Sequence, residues 1–101
     1  MTTIYKVIFR PRAKKQFDRL DFALQQQLAR KLKQRSANPR VPADKLSKMH
    51  DCYKVKLRSS GIRAIYQVQD GALILLVLAV AKREGDEAYE FAMQELNNLN
   101  A

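Results

Sequence analysis

The sequence predicts an α+β fold: a small twisted, mainly antiparallel sheet with an N-terminal helical hairpin on one face and a C-terminal helix. Three observations predict it. Residues 53–66, around Ser60-Gly61, read as a β-hairpin that is apolar on one face and carries four cations on the other. Leu73 to Val80 is apolar at every position, the pattern of a central strand covered on both faces. Leu24, Leu28 and Leu32 recur every four residues, which is helical spacing. With 101 residues, 47% hydrophobic and 29% charged, the chain fits one folded domain over residues 1–101 and not a disordered segment.

Taken in order, Ile4 to Phe9 alternates weakly and reads as a first strand. Arg12 to Leu20 reads as a helix with Ala13, Phe17 and Leu20 on one stripe, and Pro11 suits its start because its missing N–H lies where a helix has no partner for it. Asp21 is the expected N-cap of a second helix. Asn38-Pro39-Arg40-Val41-Pro42 ends that helix and makes a loop. The hairpin follows, then Asp70-Gly71 as a second hairpin turn and the apolar strand. Gly85 to Leu99 reads as a helix with Phe91, Leu96 and Leu99 apolar. Either this C-terminal segment or a partner must cover the second face of the apolar strand.

The hairpin is the most informative stretch. Tyr53, Val55 and Leu57 share one face, while Lys54, Lys56 and Arg58 share the other. A two-residue turn at Ser60-Gly61 sets Ser59 opposite Ile62. Leu57 then faces Ala64, Val55 faces Tyr66 and Tyr53 faces Val68, which assigns Tyr53 and Tyr66 to the core. On the other face Arg58 falls opposite Arg63, Lys56 opposite Ile65 and Lys54 opposite Gln67. Directly opposed like charges destabilise a sheet, so a cationic face with no acid in it points to an external polyanion.

Charge along the chain supports that reading. Residues 1–63 carry 17 Lys and Arg against 4 Asp and Glu, whereas residues 64–101 carry 2 against 6. A net charge of +9 concentrated in one part of the chain is the electrostatic footprint of a nucleic-acid binder. The longest apolar run, Ala72 to Ala81, is too short to cross a bilayer, and no charged-then-apolar leader opens the chain. With Cys52 as its one cysteine the chain suits a reducing cytoplasm and no membrane.

Familiar catalytic constellations are missing. The single histidine, His50, lies in a loop without an evident partner for a triad. No spacing of His, Cys, Asp or Glu suggests a metal, and no glycine-rich phosphate loop or cofactor motif is present. Cys52 reads as a strand-edge residue without chemistry. A basic cluster can nevertheless break RNA, because the 2′-hydroxyl attacks the neighbouring phosphorus and fixed cations stabilise the charge that develops. A lysine crowded by like charges is pushed toward the neutral form that a general base needs.

The stretch from Asp51 to Arg63, the strand end Val80-Ala81-Lys82-Arg83-Glu84, and Tyr89 closely resemble the RelE toxins of bacterial toxin–antitoxin modules. The resemblance runs from about Phe17 through Tyr89. It implies a ribosome-dependent mRNA interferase that cleaves the codon exposed in the A site, without metal or cofactor. By position, Lys54 and Arg63 correspond to the family's transition-state and phosphate-positioning cations. Lys56 corresponds to the general base, Arg83 to the general acid or leaving-group stabiliser, and Tyr89 to the aromatic that stacks on the target nucleotide. RNA or ribosome contacts are expected at Lys45, Lys48, Arg58 and Lys82, and on the helices at Lys14, Lys15, Arg30 and Lys31. Arg19, Lys33 and Arg35 also read as outward-facing helix cations.

Two departures accompany the resemblance. Where the family often carries an arginine-glycine pair, this chain has Ser47-Lys48, and Lys48 stands one position away from the lost cation. Strict alternation also places Arg83 on the face opposite Lys82, away from the cluster, unless the strand ends or bulges near Ala81–Lys82. Alternatives from other classes are a ParE-like inhibitor of DNA gyrase, for which Lys56, Arg83 and Tyr89 would be dispensable, and a non-catalytic nucleic-acid-binding module. Either toxin reading implies an antitoxin with an acidic, amphipathic segment, which would bring the pair to operator DNA only indirectly.

Overall fold

A computed structural model describes residues 4–57, 60–82 and 86–99. Strand β1 (Lys6–Phe9) leads into helices α1 (Pro11–Asp18) and α2 (Phe22–Ala37). A short 3-10 turn at Pro42–Asp44 precedes strands β2 (Cys52–Leu57), β3 (Ile62–Gln69) and β4 (Ile74–Lys82), and helix α3 (Glu87–Leu99) follows. The sheet order is β1-β4-β3-β2. The two hairpins are antiparallel, and β1 lies parallel to β4 with Lys6 opposite Ile74. No described helix is long and apolar enough to cross a membrane.

The helical hairpin forms where the pattern places it. Pro11 opens α1, whose Ala13 is buried and whose Phe17 ring packs 5.1 Å from that of Phe9. Asp21 caps α2 by accepting a hydrogen bond from the Leu24 N–H at 2.9 Å. Leu28 and Leu32 then bury themselves against Tyr53, Val55, Tyr66 and Val77 in a core between the helices and one face of the sheet. Tyr53 and Tyr66, both buried, stack with ring centroids 5.8 Å apart.

The second face of the sheet is covered by α3. Ala88, Ala92 and Leu96 pack on Cys52, Ile65, Leu76 and Leu78. Two alanines one turn apart let the helix backbone come close to the strands. This inward stripe differs from the expected one, because Leu99 is 39% exposed. Glu95 is buried on that side and pairs with Arg10 at 3.5 Å.

The hairpin register is offset by two residues from the expected one. Leu57 faces Ile62, Lys56 faces Arg63, Val55 faces Ala64, Lys54 faces Ile65 and Tyr53 faces Tyr66. Four positions, in place of two, separate the paired strand ends Leu57 and Ile62. Ser60 and Gly61 both donate to the Leu57 carbonyl, at 3.2 and 3.1 Å, and Gly61 takes the left-handed conformation at φ 74°. A shift of two preserves parity, so every side chain keeps its face. The opposed cations are therefore Lys56 and Arg63, and Arg58 lies outside the described residues. The second turn is also longer than Asp70-Gly71. It spans Asp70 to Leu73, with the left-handed residue at Leu73 (φ 53°).

Strand β4 carries one extra residue. Ile65 pairs with Ala79 and Tyr66 with Val77, so Leu78 bulges, and Leu78 and Ala79 both face α3. Beyond the bulge the parity is reset. Ala81 stands opposite Arg63, while Lys82 stands opposite Ile62 on the other face.

Candidate functional site

Alternation along β2 and β3 puts Lys54, Lys56 and Arg63 on the α3 side of the sheet, together with buried Cys52 and Ile65. Lys56 is held below the ordinary lysine value, chiefly by the charge of Lys54 and then by desolvation and the charge of Arg63. Arg63 is fixed from the helix. Its Nη1 donates to the Tyr89 hydroxyl, and its guanidinium lies 5.2 Å from the Tyr89 ring centroid. The Arg63 Nε–H is buried and has no partner among the described residues. A buried orphan donor is costly, and here it belongs to the most constrained cation of the patch. The arrangement suits a tetrahedral or pentacoordinate anion bound at Arg63, beside an amine whose charged form Lys54 and Arg63 disfavour.

Tyr89, on the first turn of α3, also lines a cavity of about 300 Å³ with Leu46, Ser47, Lys48, Asp86 and Met93. Lys48 thus stands beside Tyr89, and Lys45, which bridges to Tyr53, begins the same loop. Arg58 and Arg83 lie outside the described residues. The expected helix cations are in the other layer, on α1 and α2 across the sheet from the patch. There Arg30 and Lys31 are exposed, and Lys14 pairs with Asp18. Lys82, expected beside the cluster, is on that opposite side as well, because the Leu78 bulge turns it there.

Cys52 is fully buried and its thiol is pushed up to about 12, mainly by burial, which removes it as a nucleophile. His50 has a side chain 92% exposed and stands 3.6 Å from Asp51, in the loop.

Arg35 is a second residue that the sequence pattern places wrongly. It turns inward, donating from Nη1 to the Lys54 carbonyl at 3.2 Å and to the Tyr66 hydroxyl at 3.0 Å, and pairing through Nη2 with Asp44. The Tyr66 hydroxyl in turn donates a hydrogen bond to the Pro39 carbonyl at 2.6 Å. This network anchors the backbone of Lys54 from the opposite layer. The signal was present: Leu28, Leu32 and Arg35 sit at i, i+4 and i+7, on one helical stripe.

Comparison with known proteins gives a consistent answer. A family model described as the ParE toxin of the type II toxin–antitoxin system parDE matches residues 7–87. The mRNA interferase toxin RelE of Escherichia coli K12 is 42% identical over 92 residues, spanning 91% of this chain and 97% of that protein. A mutant of E. coli RelE in the free state superimposes with a TM-score of 0.86 at 41% identity, covering 92% of this chain and 98% of that one. The toxin of the intact E. coli RelBE toxin–antitoxin complex gives 0.77 at 44% identity, covering 79% and 98%.

Proposed function

This chain belongs to the ParE/RelE family of type II toxins, and from that premise we propose that it is a RelE-type mRNA interferase: an endoribonuclease that cuts messages in the ribosomal A site and is neutralised by an antitoxin. The observation that carries the reading is the Lys54–Lys56–Arg63 patch closed by Tyr89. Its four side chains supply a base, phosphate-binding cations and a stacking ring for strand cleavage through the 2′-hydroxyl.

Neutral Lys56 accepts the 2′-hydroxyl proton. The 2′-oxygen bonds to phosphorus, the bond to the 5′-oxygen breaks, and the products are a cyclic phosphate and a new 5′-hydroxyl end. Lys54 and the guanidinium of Arg63 meet the charge growing on the phosphorane oxygens. Tyr89, held by Arg63, offers a ring for stacking of the base beside the cut. Arg83 fills the acid role that the resemblance implies. Lys48, beside Tyr89, takes over contacts where this chain lacks the family's arginine.

The antitoxin is an acidic, amphipathic chain that neutralises the cationic surface, and the site of action is the cytoplasm. The ParE name of the family model keeps gyrase as a second target, but nothing in gyrase poisoning calls for a lysine with a depressed pKa beside an arginine–tyrosine pair. Primer extension on a message held on programmed ribosomes tests the proposal. Wild type should cut the A-site codon only when ribosomes are present, and Lys56→Ala and Arg83→Ala should not. An intact message with wild type sinks the enzyme, and cutting of free RNA removes the ribosome as activator.

A further inference from the structure

A second cationic feature lies on the opposite face of the same sheet end. Arg12, Lys15, Gln16 and Arg19 fall at i, i+3, i+4 and i+7 along α1 and its C-cap. They form one wall of a groove of about 550 Å³ whose floor includes Ile62 and Val80 and whose far side includes Lys82, Glu87 and Phe91. Like charges three and four apart on a helix repel each other. None of the described salt bridges engages Arg12, Lys15, Arg19 or Lys82. Among the described residues Glu87 is the one acid lining the groove.

The groove is built in advance. The Arg12 guanidinium lies 4.0 Å from the Phe91 ring centroid and donates to Gln94 Oε1 at 2.8 Å. Its outer face and remaining N–H groups stay open. Gln16 is held by the Val80 N–H, which donates to its Oε1 at 2.9 Å. The apolar floor offers little area to an amphipathic peptide, since Ile62 is 6% and Val80 3% exposed. Cations on the rim with a guanidinium plane available for stacking suit single-stranded RNA, whose phosphates and bases want those two features.

Continuity with the cleavage patch gives the source of that RNA. Ile62 and Arg63 are neighbours in β3, and Lys82 and Ala81 are the residues paired with them in β4. Patch and groove therefore open at one end of the sheet, on its two faces. We propose that the groove between α1 and the paired ends of β3 and β4 binds the message strand beyond the cut, through its phosphates. The inference rests on the reading of the chain as an enzyme that cleaves RNA.

The test is anisotropy of a labelled 2′-O-methyl oligouridylate, which the 2′-hydroxyl route cannot cleave, across a range of salt. Wild type is compared with Lys15→Gln/Arg19→Gln and with Lys6→Gln/Lys33→Gln, which removes equal charge elsewhere. The groove variant should lose about 1.4 from the slope of log affinity against log salt, at about 0.7 per phosphate contact. The control should keep the wild-type slope, and Glu87→Gln should bind more tightly than wild type. Equal slopes for groove and control variants overturn the site. Displacement of the labelled RNA by polyglutamate at lower charge-equivalent concentration than by unlabelled RNA reassigns the groove to an acidic polypeptide and overturns the RNA reading. If the double variant does not fold, Lys82→Gln reads the same groove from the strand side. A wild type that binds in this assay but cuts nothing on ribosomes refutes the enzyme without touching the groove.

Discussion

Replacing Arg35 by alanine removes the link between the helical layer and strand β2, which carries Lys54 and Lys56. The substitution deletes the pair with Asp44 and two hydrogen bonds, to the Lys54 carbonyl and the Tyr66 hydroxyl. Breaking a buried pair from one side costs about 3–5 kcal/mol. The Arg35 and Asp44 side chains are 18% and 25% exposed, so water recovers part of the loss for Asp44. Tyr66 keeps its bond to Pro39. The expected destabilisation is therefore roughly 2–4 kcal/mol. For a domain of this size that lowers Tm by roughly 10–25 °C. Urea and thermal melts of Arg35→Ala, beside the exposed neighbour Lys33→Ala, measure it. Lys33→Ala should stay within about 0.5 kcal/mol of wild type. The Arg35→Ala/Asp44→Ala double variant should cost less than its two single variants added together, since the partners share one interaction. A loss below about 1 kcal/mol, or additive single effects, would refute the assignment of Arg35 as the anchor of β2.

Lys54→Met removes the main charge that depresses Lys56. The Lys56 pKa then rises, and the limb of the cleavage rate that climbs with pH should move to higher pH in single-turnover assays; an unmoved or acid-shifted limb argues against Lys56 as base. Tyr89→Phe keeps the ring and loses the hydroxyl that binds Arg63, so cleavage should fall about tenfold. Tyr89→Ala should fall further, because base stacking worth about 1–3 kcal/mol is lost as well; equal rates for the two variants would deny the ring a part. Asp70 is held below the ordinary 3.8 by Arg40 and then by Tyr5. Its ionised form therefore stabilises the fold above that value, and the contribution disappears as pH falls through the lower folded value. The Tm gap between wild type and Asp70→Asn should be full at neutral pH and close in acid, and a gap independent of pH would be the contrary result.

How much of this was legible in the chain follows from the range of each interaction. The two faces of the hairpin were readable without knowing the register, because alternation depends only on parity and a slip of two leaves it intact. The register itself depended on loop conformation, and Ser60-Gly61 is compatible with both a two-residue turn and the four-residue connection closed on the Leu57 carbonyl. The α2 cap at Asp21 was readable because donor and acceptor stand three residues apart.

The sequence by itself determined the secondary elements, the cationic face and its acid-free composition, since these rest on neighbours along the chain. The tertiary structure alone decided that α3 covers the second face, that Tyr89 meets Arg63 across 26 residues, and that Arg35 points inward to Lys54. It also decided the face of Lys82, through one bulged residue at Leu78. Each of these depends on contacts between distant segments, and the cost of an unpaired strand face or buried charge is settled only when those segments pack.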